Sequence, residues 1–111
     1  MMIPYVNANE ILAKTTTIGC NLLTEEDGCV NGCKCGISRY TATEYDAGGG
    51  PAHDDQEGFL VLEGTGSALI DGIEYEMKPG ICFIVPAGVK HTMKKTGDCK
   101  YCKVFWFHAA V

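Results

Sequence analysis

The stretch Gly80-Ile81-Cys82-Phe83-Ile84-Val85-Pro86-Ala87-Gly88-Val89-Lys90-His91 decides the fold. Lys78-Pro79-Gly80 supplies a turn before it, because proline presets φ and glycine tolerates a positive one. Ile81 to Val85 is an apolar run of strand length, and Pro86-Ala87-Gly88 breaks it sharply. His91 opens the next segment, where a strand leaving a bend can aim its ring inward. Read alone, His91 is equally an ordinary polar residue at a strand start.

Outward from this stretch the chain reads as many short strands. Asn7 or Asn9 can cap a helical turn through Glu10 to Lys14, and β-branched Thr15 to Leu23 reads as a strand. Further strands are expected at Gly36 to Asp46, Phe59 to Leu62, Ser67 to Ile70, Ile73 to Met77, His91 to Lys95 and Lys100 to Phe107. Asp71-Gly72 is a strong hairpin signal, since a type I′ turn needs two positive φ angles in succession. Beyond it Ile73, Tyr75 and Met77 alternate with Glu74 and Glu76, so one face packs inward. Turn signals this regular, with no long helical period, indicate an all-β antiparallel barrel or sandwich. A chain of 111 residues suits one small domain. Residues 1–35 form an N-terminal arm with a cysteine-rich loop, and 36–107 the barrel core.

The quoted stretch resembles the second signature motif of the cupins: Gly80, five residues, Pro86-Ala87-Gly88, two residues, His91. Upstream, Pro51-Ala52-His53-Asp54-Asp55-Gln56-Glu57-Gly58-Phe59-Leu60-Val61-Leu62-Glu63-Gly64 is similar to the first, a His-x-His, a Glu and an apolar strand ending at Gly. Counting back from Gly64 puts Glu57 on the family's glutamate and His53 on its second histidine, with Pro51 in place of the first. The resemblance implies a small single-domain cupin of the cupin 2 conserved-barrel family: a jelly-roll β-barrel (double-stranded β-helix), a homodimer, with one divalent metal held by His53, Glu57 and His91. Two imidazoles and a carboxylate are a competent set for Fe, Zn, Mn, Co, Ni or Cu. In an alternative register His53 and Asp55 are the ligands with a distant histidine, but only the first keeps the spacing of Glu57 to Gly64.

The net charge of −5, without a Lys/Arg cluster, argues against nucleic acid as a partner. No apolar run approaches membrane-spanning length, and Met1-Met2-Ile3-Pro4-Tyr5 lacks the layout of a signal peptide, so a cytoplasmic protein is expected. Seven cysteines are the second unusual feature. Cys29, Cys33 and Cys35 share a glycine-containing loop, and Cys99 and Cys102 form a Cys-x-x-Cys. Three readings stand: a second, structural zinc, a disulfide, or free and redox-responsive thiols. Cys20 and Cys82 read as small hydrophobes on strands.

Tyr45, Tyr75, Phe83, Trp106 and His108 are candidates for a ligand pocket, as is Tyr40. Each has a plainer reading, core packing for the aromatics and an exposed strand end for His108. Family resemblance implies three classes of function: a metal-dependent oxygenase, isomerase or lyase acting on a small molecule, a non-catalytic sugar or metabolite binder, and a thiol-rich metal or redox sensor. The enzyme has the competent ligand set in its favour, the binder the missing first histidine, and the sensor the cysteine loop.

Overall fold

The computed structural model describes residues 2–111. Period-two alternation organises it: in β3 (Glu57–Glu63) Phe59 and Val61 are buried while Leu60 and Leu62 face outward. A five-stranded antiparallel sheet has the order β1 (Gly19–Leu23), β2 (Lys34–Tyr40), β8 (Cys102–His108), β3, β6 (Cys82–Val85). A three-stranded sheet has the order β5 (Ile73–Met77), β4 (Gly66–Ile70), β7 (His91–Lys95). Their inner faces share one core, with Phe59, Val61, Val85, Cys102 and Val104 from the first meeting Ala68, Met77 and Met93 from the second. Across β3 and β6 the rings of Phe59 and Phe83 stack with centroids 5.1 Å apart.

The strands expected from alternation are present, and the closed barrel is not. The two sheets pack as an open sandwich, because β1 and β6 end one sheet and β5 and β7 the other without pairing across. Asn7 caps the helix α1 (Ala8–Ala13) by accepting from the Asn9 and Glu10 N–H groups. Asp71 and Gly72 take φ of 50° and 78°, as a type I′ hairpin requires. The strand expected over Gly36 to Asp46 stops at Tyr40. Beyond it, Ala42 and Asp46 meet β7 through separate hydrogen bonds, Lys95 N–H to Ala42 O and Thr92 Oγ1 accepting from Asp46 N–H. At the other end β8 runs one residue past its expected limit and takes in His108.

The cysteines do not assemble into a four-thiolate site. Cys35 lies opposite Phe107 and Cys102 opposite Tyr40, so the two sulfur pairs are separated by five residues of β8, roughly 17 Å. Cys99 is engaged locally with Thr65 and Thr96, and all seven thiols are free. Cys102 is fully buried, and burial pushes its thiol up to about 11. Thiol labelling near pH 8 should therefore reach the exposed Cys33 and Cys82 first and leave Cys102 unreacted until denaturant is added, with no effect of chelator. Release of several thiols by chelator alone would contradict this arrangement.

Gly64, which closes β3, has φ of 77°, and a Cβ there would run into the Tyr101 carbonyl oxygen. Gly72 has a similar φ but open space around it. Gly64→Ala should lower stability by about 1–3 kcal/mol or more, and by more than Gly72→Ala, in denaturant unfolding. Equal losses would mean that backbone strain alone matters at position 64.

Candidate metal centre

The site forms at one end of the sandwich, where both sheets contribute. Glu57 is the first residue of β3, and antiparallel register places it opposite His108 of β8 on one side and Val85 of β6 on the other. His91 opens β7 in the second sheet, paired with Ile70. His53 lies on the loop before β3. Two backbone hydrogen bonds tie the loops together: Gly88 N–H donates to His53 O at 2.6 Å, and His91 N–H to Pro51 O at 3.1 Å.

His53, Glu57 and His91 each offer one ligand atom within 4.8 Å of the others. Glu57 and His91 are buried, with 8% and 6% exposure, and His53 is half-buried. His91 Nε2 stands 3.1 Å and His53 Nε2 3.6 Å from Glu57 Oε1. Ligands about 2.1 Å from one ion lie about 3.0–3.4 Å apart at right-angled or tetrahedral positions, so the spacing suits shared coordination. Hydrogen-bond chemistry points the same way. His91 Nδ1 lies 3.1 Å from the Val89 carbonyl oxygen, which can only accept, so Nδ1 carries the proton. In neutral His91 the Nε2 lone pair then faces a carboxylate oxygen, and a cation must stand between them. Without a metal that cation is a proton on Nε2. The Glu57 hydrogen bond accordingly raises the His91 pKa above its usual 6.5, against the lowering effect of burial.

Asp55, the alternative ligand, and His108 are both outside this group; Asp55 Oδ2 is paired instead with His108 Nδ1 at 2.9 Å. His108 is buried, at 8% exposure, rather than a free strand end. Its Nε2 lies 3.5 Å from Glu57 Oε2, and its ring meets that of His53 edge-on at 5.3 Å. Two cavities adjoin the cluster and share His53. An inner one of about 340 Å³ holds all three residues and is walled by Ile18, Tyr40, Pro51, Phe59 and Met93. An outer cleft of about 560 Å³ runs past His108 and Asp55 to Thr24, Cys29, Cys33 and Lys34.

The other pocket candidates lie elsewhere. Tyr75 and Phe83 line a separate cleft that holds none of the three residues. Tyr45 donates to Glu74 and is paired with Ser67, and Lys94 lies over its ring. Trp106 packs on the core, donates to Ser38 Oγ and meets the His108 ring edge-on at 5.7 Å. Tyr40 does reach the inner cavity, where burial and then the Glu57 charge push its phenol well above the ordinary value.

The family model for the cupin domain (Cupin_2) matches residues 43–108. No curated protein matches. Among solved structures, a protein of unknown function from Rhizobium leguminosarum is 16% identical with a TM-score of 0.72 over 100% of both chains. The cupin domain of Schizosaccharomyces pombe Cnp3 is 19% identical with a TM-score of 0.68, covering 84% of this chain and 64% of that one. An iron(II) form of HppE in complex with substrate is 13% identical with a TM-score of 0.67, covering 83% of this chain and 53% of that one. At these identities the likeness concerns the fold. The chain spans less than two thirds of both Cnp3 and HppE.

The raised His91 pKa fixes the sign of a pH effect. Stability from the protonated His91–Glu57 pair is fully present below about pH 6.5 and is lost as pH rises through the higher folded value. In chelator, the melting temperature of the wild type relative to His91→Ala should therefore fall as pH rises above about 6.5. A margin that grows with pH in chelator would show that the pair is not protonated.

Proposed function

Because the chain belongs to the cupin family, we propose that it is a single-metal cupin acting on a small molecule, with His53, Glu57 and His91 holding one divalent ion. The observation that carries this reading is the convergence of His91 Nε2 and His53 Nε2 on Glu57 Oε1, at 3.1 and 3.6 Å. Iron(II), manganese, zinc, cobalt, nickel and copper all accept two imidazoles and a carboxylate. A bound ion supplies Lewis acidity and open coordination positions.

The protein's own groups narrow the class of molecule. Ile18, Phe59 and Met93 make the inner cavity largely apolar, while Tyr40 keeps its proton and can donate a hydrogen bond. A cavity of about 340 Å³ suits a small molecule with an apolar body and one polar end directed at Glu57 and the imidazoles. Oxygenase, isomerase and lyase chemistry are all open to such a site. The sensor reading draws support from Cys29 and Cys33, which line the outer cleft that His53 also borders.

Self-association as a homodimer has a surface available. Leu60, Leu62, Ile84 and Phe107 are exposed on the outer face of the larger sheet, an apolar patch on strands β3, β6 and β8. Seven free thiols favour a reducing compartment such as the cytoplasm. Among the described residues no helix is long and apolar enough to cross a membrane.

Calorimetric titration with Co(II) or Mn(II) should find about one site per chain. His91→Ala should weaken it by more than the ~10–100-fold typical of losing a group that only supports a ligand. Undiminished binding in His91→Ala would overturn the assignment.

A further inference from the structure

We infer that Cys29 and Cys33 are a peroxide-responsive thiol pair, which a small hydroperoxide entering the outer cleft converts to a disulfide. The inference gives the sensor reading its two reacting residues. It holds with or without a metal at Glu57, because neither sulfur belongs to that group.

Local backbone geometry brings the pair together. Cys29 N–H donates to Thr24 O, which fixes the start of the loop, and Cys33 N–H donates to Val30 O at 3.1 Å, which closes a turn. Within that turn Asn31 and Gly32 take φ of 55° and 83°, the pattern of a type I′ turn. The chain therefore reverses over two residues and carries Cys33 back beside Cys29. A bond from Val111 N–H to Asn31 O, at 2.8 Å, anchors the tip. Both cysteines then line the same cleft of about 560 Å³. Their sulfurs interact there: the Cys29 thiol is raised above its ordinary value first by desolvation, then by the charge of Cys33 and a hydrogen bond with it.

Access sets the roles within the pair. Cys33 is exposed and Cys29 half-buried, so a molecule in the cleft meets Cys33 first. The raised Cys29 thiol keeps its proton and is the poorer nucleophile toward peroxide. With hydrogen peroxide, the Cys33 thiolate attacks one oxygen: an S–O bond forms, the O–O bond breaks, and the departing oxygen leaves as water with the proton the thiol gave up. The Cys29 sulfur then attacks the sulfur of that sulfenic acid. The S–S bond forms, the S–O bond breaks, and the hydroxide leaves as a second water with the Cys29 proton. Two thiols are oxidised to a disulfide, and one hydrogen peroxide is reduced to two waters.

The other cysteines lack this arrangement. Cys99 and Cys102 form a Cys-x-x-Cys, and hydrogen bonds with Thr65 lower the Cys99 thiol, but Cys102 is fully buried and pushed up to about 11. Cys35 is held in the β2 ladder opposite Leu23 and Phe107 and does not line the cleft. Cys82 is exposed, but it lies on β6, three strands away from β2 in the larger sheet.

The test treats the fully reduced chain, in chelator, with a single equivalent of hydrogen peroxide, then alkylates the remaining thiols and maps the peptides by mass. Two of the seven thiols should be lost, both in one Cys29–Cys33 disulfide, and a dithiol reductant should restore them. Cys29→Ser should stop at a sulfenic acid on Cys33, trapped by dimedone. Cys33→Ser should leave Cys29 unoxidised under the same treatment. A first disulfide between Cys99 and Cys102 or between Cys33 and Cys35 would overturn the inference. So would a wild-type sulfenic acid on Cys33 that Cys29 never resolves, or no loss of thiols at all. Each of these results leaves the single-metal reading intact, since chelator is present throughout and Co(II) titration of the reduced protein decides that reading separately.

Discussion

A buried carboxylate faced by imidazole nitrogens is the constraint around which this structure is arranged. The Val89 carbonyl occupies the Nδ1 proton of His91, so in the neutral ring the nitrogen nearest Glu57 is a lone pair. Bringing bases and an anion together away from water is unfavourable unless a cation joins them. A second proton satisfies the need at His91. A divalent ion satisfies it for the whole group, and gains its ligands already gathered.

The scaffold bears the cost of gathering them. Glu57 and His108 are fixed by the β3–β8 register, which depends on Phe59, Val61 and Val104 packing inward on the same strands. His53 and His91 come from loops, and loops need ties. The hydrogen bonds from Gly88 to His53 and from His91 to Pro51 join the two loops to each other. Gly50 makes the approach possible, because a Cβ there would strike the His91 carbonyl oxygen. The site is therefore a property of both sheets together.

Much of this was legible in the chain. The turn at Pro86-Ala87-Gly88 and the run from Phe59 to Gly64 carry their own local physics, a forced break and a period-two burial pattern, and these placed Glu57 and His91 correctly. Asp71-Gly72 likewise encodes its turn through the two positive φ angles it adopts. The role of His108 was less visible, because it depends on whether β8 stops at Phe107 or continues one residue further. Only the pairing with Glu57 and the bond from Ala109 N–H to Gln56 O settle that. Alternation from Val104 through Trp106 was the available signal, since it puts His108 on the inward face. Of the three readings of the cysteines the structure leaves the free thiols, because closeness in sequence within each group says nothing about the roughly 17 Å of sheet between the groups. Closure of the barrel was equally beyond reach, because alternation specifies which face is buried and not whether edge strands pair.

Pro51 lines the site, and His108 faces inward beside it with Asp55 as its partner. The most direct measurement is the anomalous scattering of a crystal grown with cobalt. The arrangement described here places the strongest peak about 2.0–2.2 Å from His53, Glu57 and His91, between the two sheets. A protein that binds cobalt only at the cysteine loop, with no density beside Glu57, would contradict it.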